Sequence, residues 1–155
     1  MLKNLFQPKN DKPVEPIFPE DNFGILKLEI DNFLALASIN QAYNNYPNKK
    51  FFPWFAQILF ELQDKNDNGH PTNEEAEVLN DLEDKINIFF KENHVVHFIG
   101  RLTRNGYRNI FFYLDNPSFD QDKTNTFFDE ISAIRPMDFY LKEDKKWNKV
   151  SAFID

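Results

Sequence analysis

The chain has 155 residues, of which 41% are apolar and 28% charged; it holds 18 Phe and no Cys. That size and balance describe one globular domain with a continuous core and exclude a disordered chain, and the absence of cysteine excludes a disulfide framework, a thiolate metal site and a cysteine nucleophile. A net charge of −7 sets the whole molecule against phosphate backbones, so nucleic acid is a disfavoured partner without a strong local basic patch.

Residues 1–22 carry Pro8, Pro13, Pro16 and Pro19 among polar residues. Each proline removes a backbone donor and fixes φ, which predicts an extended arm held wherever Phe6, Ile17 and Phe18 find grooves. The domain proper is expected over 23–155. "GILKLEI" (24–30) alternates like a strand, Asp31-Asn32 marks a turn and "FLALASI" (33–39) reads as the return strand. "NQAYNNYPNKK" reads as a polar loop with room for a helical turn. The apolar run after Pro53, "WFAQILFELQ", predicts a central strand covered on both faces.

Residues 72–92 predict an amphipathic helix, with Ala76, Leu79, Leu82, Ile86, Phe89 and Phe90 on one stripe. Asn105-Gly106 between "VVHFIGRLTR" and "YRNIFFYLD" predicts a hairpin, because both residues tolerate the positive φ of a type I′ turn. That turn pairs Leu102 with Asn109, Gly100 with Phe111 and Phe98 with Tyr113, and on the other face Arg101 with Ile110 and Ile99 with Phe112. A second helix is expected over 124–133, a last strand at "RPMDFYLK" and a short closing helix in "EDKKWNKVSAFI". Strands outnumber helices and come mostly as hairpins. The fold class is therefore α+β, an antiparallel sheet of about five or six strands with helices packed mainly on one face.

"DKNDNGHPTNEE" (64–75) matches a calcium-loop pattern, with oxygen ligands from Asp64, Asn66, Asn68, the His70 carbonyl, Thr72 and Glu75 and a turn at Gly69. Against it stand a strand rather than a helix before the loop, Pro71 at an apolar position and no second loop. The same residues read better as a helix entrance: Thr72 caps the first turn and Glu75 reaches back to it in a capping box. No other metal or cofactor site is expected. His94 and His97, three apart on a strand, face opposite ways and gather no ligand set. The serines lie in no nucleophile-elbow setting and the four glycines form no phosphate loop, so an enzyme is not the expectation.

Around the hairpin tip, Arg101, Arg104, Tyr107 and Arg108 form the candidate binding surface, with Trp147 as an assisting ring. Arginine beside aromatics is enriched at protein-binding hot spots and also stacks single-stranded bases. The expected function is a cytoplasmic, non-catalytic protein-interaction or regulatory module with an unknown protein partner, inhibition of an enzyme being one form of it. RNA or small-ligand binding is the alternative and a hydrolase a second. No run approaches the ~18 apolar residues of a spanning helix, and the first residues lack the apolar core of a signal peptide, so no membrane partner is expected.

The order of "YPNKKFFPWFAQILFEL", "GHPTNEEAEVLNDLEDKI", "FIGRLTRNGYRNIFFYL" and "KEDKKWNKVSAFI" resembles the family catalogued as domain of unknown function 695. Gly69, Pro71 and Glu75 fall at its helix start, Thr103, Gly106, Arg108, Phe112 and Tyr113 in its hairpin, and Asp144 and Trp147 at its ending. The resemblance covers roughly residues 30–155 and departs at the final "SAFID". The family is similar to the ribonuclease E inhibitor called regulator B, which implies a ferredoxin-like fold and an acidic domain that binds another protein; no catalytic residues are implied.

Overall fold

The computed structural model describes residues 11–155, so the expectations for Phe6 and Pro8 lie outside the described residues. The six strands are β1 (Phe23–Ile30), β2 (Phe33–Asn40), β3 (Trp54–Glu61), β4 (Val96–Arg104), β5 (Tyr107–Leu114) and β6 (Met137–Glu143). The three α-helices are α1 (Asn73–Lys91), α2 (Gln121–Ile134) and α3 (Ser151–Ile154). All strands join one sheet in the order β1-β2-β4-β5-β3-β6, and every neighbouring pair is antiparallel.

Both expected hairpins form on two-residue turns whose central residues have positive φ, 52° and 68° at Asp31-Asn32 and 44° and 83° at Asn105-Gly106. Such turns match the right-handed twist of the strands they join. The β4–β5 register departs from expectation in one place. Gly100 pairs with Phe111 and Arg101 with Ile110 as predicted, but Phe98 pairs with Phe112 and His97 with Tyr113. A bulge between Phe98 and Gly100 absorbs Ile99, and each partner beyond it moves by one residue.

The helices α1 and α2 lie on one side of the sheet, called here the helix side. Leu79, Leu82, Ile86 and Phe90 of α1, with Ile131 of α2, bury themselves against Ala56, Ile58 and Phe60 of β3 and Ile110, Phe112 and Leu114 of β5. Full burial of each such side chain stabilises the fold by about 1.5–3 kcal/mol. This core includes Val96 on β4 and Phe139 on β6 but no residue of β1 or β2. The opposite side is covered by α3, by 3₁₀ turns at Gln41–Tyr43 and Lys49–Phe51, and by the arm. There Ala35, Ala37 and Ile39 of β2 join Phe55, Tyr113, Trp147 and Val150 in a second core. Strands β1 and β2 are thus packed mainly on one side, Phe23 alone of β1 reaching Phe98 on the other, and β1 alternates between exposed and half-buried residues along its length.

The stretch between β2 and β3 is a loop with 3₁₀ turns, and Tyr43, Tyr46 and Asn48 within it are buried. The arm is what covers them. Val14 N–H donates to Asn48 Oδ1 and Asn48 Nδ2 donates back to Val14 O, each at 2.7 Å, and Tyr46 Oη donates to Ile17 O at 2.6 Å. Beneath them His97 is fully buried, 2.7 Å through Nδ1 from Tyr43 Oη, with Phe18 stacked on its ring at 4.7 Å.

Burial pushes the His97 imidazole down to about 4, with Asp115 opposing weakly. The folded pKa lies below the unfolded value near 6.5, so between those limits the unfolded chain holds more protons and stability rises with pH. The contribution is full above pH ~6.5 and lost as pH falls towards ~4, amounting to about 3 kcal/mol at 1.36 kcal/mol per pH unit. Urea unfolding at a series of pH values is expected to show that slope, and His97→Phe to flatten it; an unchanged slope in the variant would refute the assignment.

Candidate functional site

On the helix side the bare strands β1 and β2 and the exposed flank of α1 form the two walls of a groove. Its larger part, about 800 Å³, runs past Phe18, Phe23, Ser38, Glu83, Asn87, His94, Val95 and Arg101. A smaller part of about 390 Å³ shares Ser38 and Arg101 and continues past Ile25, Leu36, His70, Pro71, Thr103 and Arg108. Apolar residues at its rim remain in water: Ile25 is 73% exposed, Phe18 56% and Phe23 46%. A side chain as apolar as Ile25, standing on a regular strand and left that open, is the kind of exposure that marks interaction surfaces when neighbours share it.

The polar wall comes from three elements brought together by the sheet order. Alternation along β4 turns Arg101 and Thr103 to the helix side, and the register sets Arg108 of β5 opposite Thr103. Arg108 is only 7% exposed; its Nε donates to Thr103 Oγ1 at 2.9 Å and its Nη1 to Asn80 Oδ1 at 3.2 Å. Asn80 Oδ1 also accepts from Arg101 Nη1, and Arg101 Nε stands 3.6 Å from Glu83 Oε1. Burial, then the neighbouring Arg101, lowers the Arg108 guanidinium to about 10, with Glu83 and Glu75 opposing, so it keeps its charge at neutral pH. Burial raises the Glu83 carboxyl; the two arginines oppose that and Asp84 reinforces it.

The predicted surface therefore divides. Arg101 and Arg108 belong to the groove, with Arg108 beneath its surface. Arg104 and Tyr107, paired across the hairpin, alternate to the opposite side of the sheet, where they line a separate hollow with Leu59 and Asn109. Arg104 meets Asp31 at 3.4 Å and Tyr107 stays exposed. Trp147 is a correction. It is completely buried, its indole N–H donates to Phe52 O at 2.9 Å, and its ring stacks on Tyr113 at 4.1 Å. Asp144 holds this joint, accepting from Tyr113 Oη at 2.7 Å and from the backbone N–H groups of Asn148 and Lys149 at 3.0 and 2.9 Å. Trp147 is core because the turn before α3 inserts its ring between β5 and the buried tyrosines, so it cannot assist a binding surface.

The loop 64–75 uses its oxygens on itself. Asn66 Oδ1 and Asn68 Oδ1 accept from His70 N–H at 3.0 and 3.2 Å, and the His70 carbonyl accepts from Asn66 N–H at 2.8 Å. Thr72 Oγ1 caps α1 by accepting from Glu75 N–H at 3.3 Å. The other half of the expected capping box is not made: the Glu75 carboxylate turns inward and accepts from the N–H groups of Gln63 and Asp64 and from Nε and Nη2 of Arg135. Burial alone would raise the Glu75 carboxyl, but Arg135 and the two N–H groups outweigh it and hold it below the usual carboxylate range. Asp64 Oδ atoms aside, the oxygens of the calcium reading are engaged in capping and turn bonds, and among the described residues no three His, Asp or Glu side chains gather as a metal-binding group. Gly69 completes the entrance, its carbonyl accepting from Gly106 N–H at 2.7 Å, which pins the loop to the hairpin turn.

The sequence reading found Arg101 and Arg108 but missed Glu83, Asn80 and Ile25. The first two look like the solvated face of a helix, and Ile25 looks like half of a buried alternation. Only the strand order reveals them as walls of one groove.

These features define an α+β protein with a six-stranded antiparallel sheet and an arginine-bearing groove beside its longest helix. The chain belongs to a family of unknown function, DUF695, whose model matches residues 21–154. No curated protein and no solved structure matches the chain. The landmarks on which the resemblance rests are mostly joints of the fold: Gly69 and Gly106 bond to each other, Glu75 bonds Arg135, Thr103 bonds Arg108, and Asp144 bonds Tyr113 beneath Trp147. No helix among the described residues is long and apolar enough to cross a membrane.

Proposed function

We propose that the protein is a non-catalytic, cytoplasmic interaction module of a regulatory kind, inhibition of an enzyme being one form, and that a segment of a partner protein docks in the groove between α1 and the bare side of β1–β2. One observation carries this reading: Phe18, Phe23, Ile25 and Val95 are all exposed and line the two joined parts of this groove, while β3 and β5 on the same side are packed under α1 and α2. The lining carries both signs of charge, Arg101, Arg108 and Lys91 with Asp21, Glu83 and Asp84. The polar groups on the wall hold one another, which suits a rigid recognition surface.

A ferredoxin-like architecture belongs to the same proposal. What supports it is the run β3-α1-β4-β5-α2-β6, which follows the β-α-β-β-α-β order of that fold, with the β1–β2 hairpin added beside β4. Kinship with the ribonuclease E inhibitor called regulator B is part of the same proposal and rests on this element order alone.

The test is recovery of partners by the tagged protein from its native lysate, with and without ribonuclease. A stoichiometric protein is expected that survives ribonuclease, falls at least tenfold with Ile25→Asp and is unchanged with Arg104→Glu on the opposite side. Ile25 is exposed, so its substitution is expected to change stability by no more than about 0.5 kcal/mol. Loss with Arg104→Glu alone would return the site to the hairpin tip, and loss on ribonuclease treatment would make the ligand RNA.

A further inference from the structure

The smaller part of the groove brings two guanidinium groups, those of Arg101 and Arg108, to one wall. Arg108 is nearly buried yet has no ion-pair partner among the described residues: Nε and Nη1 are spent on the neutral oxygens of Thr103 and Asn80, and Nη2 makes no hydrogen bond. Arg101 stands beside it and shares the Asn80 oxygen, while the nearest carboxylate, Glu83, engages Arg101 only at 3.6 Å and leaves its Oε1 without a hydrogen bond. Two guanidinium groups therefore share the loosely held Glu83, while Glu75, which also acts on Arg108, is spent on Arg135. A buried cation left with neutral partners is costly to maintain, and an anion completing its fork recovers that cost.

The shape of the pocket selects among anions. Beside Ser38, His70 and Thr103 its lining is Ile25, Leu36 and Pro71, apolar surfaces that would lie along the stem of a ligand. A planar guanidinium matches a planar carboxylate through two parallel N–H···O bonds. We infer that this pocket binds a carboxylate carried on an apolar stem, with Arg108 and Arg101 at the acid and Ile25 and Leu36 along the stem. For its biological ligand the inference rests on the docking reading above; the pocket itself is testable without a partner.

The experiment follows the arginine Nε–Hε signals of the ¹⁵N-labelled full chain by NMR while N-acetyl-leucine, its uncharged amide, hexanoate or inorganic phosphate is added. The expected result is saturable movement of the Arg108 and Arg101 signals with both carboxylates, and at least tenfold weaker effects of the amide and of phosphate. Tighter binding of N-acetyl-leucine than of hexanoate points to a peptide carboxylate, and the reverse order to a small free acid. Arg101→Gln, at a half-buried position where folding is readily checked in the same spectra, is expected to weaken both at least tenfold. Equal movement with the amide would reduce the site to an apolar hollow, stronger binding of phosphate would make it an oxyanion site, and no saturable movement with any probe would leave no site; each overturns the inference. If the pocket fails while partner capture still depends on Ile25, the docking reading stands alone; if both carboxylates bind but no partner is captured, the pocket stands without it.

Discussion

Gly100→Ala is expected to destabilise the protein by more than about 4 kcal/mol, enough to leave much of the chain unfolded at ambient temperature. A Cβ placed on Gly100 meets Ser38 O at 2.2 Å and Ile39 Cα at 2.9 Å, both backbone atoms of the adjacent strand β2. Neither can rotate away as a side-chain tip would. The residue also has a φ of 154°, outside the range that L side chains readily adopt, at the point where the β4 bulge returns to register. The only relief is separation of β2 from β4, and that strips the β1–β2 hairpin, one wall of the groove, from the sheet. Gly24→Ala is the control: the added atom meets nothing closer than Gln41 Cγ at 3.5 Å, and a change within about 0.5 kcal/mol is expected. Urea unfolding followed by tryptophan fluorescence measures both, because Trp147 is buried against Tyr113. A Gly100→Ala protein within 1 kcal/mol of wild type, on the ~1 kcal/mol scale of an ordinary substitution, would mean the bulge is not as described.

Glu75→Ala is expected to cost about 3–5 kcal/mol, the usual penalty for removing one partner of a buried ion pair. Glu75 is fully buried and joins three separate pieces of chain: the N–H groups of Gln63 and Asp64 after β3, its own position in the first turn of α1, and Arg135 at the end of α2. Without the carboxylate, both N–H groups and the guanidinium lose their acceptor together. Glu75→Gln keeps an oxygen but not the charge, and an intermediate loss is expected. The double variant Glu75→Ala/Arg135→Met should lose no more than Glu75→Ala, because the unpaired cation is gone. Additive losses would show that the pair is not coupled.

The pH dependence of this pair has its own sign. Glu75 has a folded pKa below its unfolded value, so its contribution is present above the ordinary carboxylate range and disappears as pH falls through the folded pKa. The His97 contribution is lost earlier in the same descent, as pH falls from about 6.5 towards 4. The two windows separate the two residues in one titration of stability.

What was legible in the sequence was whatever local chemistry determines. Asn105-Gly106 dictates its turn because few residues accept two successive positive φ values, and Thr72 dictates a helix start because its hydroxyl satisfies a first-turn N–H. The stripe through Leu79, Leu82, Ile86 and Phe90 fixed the buried side of α1 for the same reason. Long-range partners were not legible. Glu75 has the right spacing to close on Thr72, yet Arg135, sixty positions on, competes with charge as well as hydrogen bonds and prevails. Trp147 follows a run of lysines and reads as exposed, although Tyr113 and Phe52 enclose it. Tyr43 and Tyr46 sit among asparagines and read as loop, while the arm covers them. The candidate site was half legible. Two of its arginines stood out by composition, but alternation sends Arg104 to the far side, and only the placement of β2 beside β4 leaves β1 open to face α1.

The groove is tested by placing a photo-cross-linking phenylalanine analogue at position 25, and separately at position 107, and irradiating in the native lysate. A single protein adduct formed from position 25 and absent from position 107 is the expected outcome, since Ile25 lies at the groove and Tyr107 on the opposite side of the sheet. An adduct from position 107 with none from position 25 would contradict docking between α1 and β1–β2 and move the binding surface to the hairpin tip.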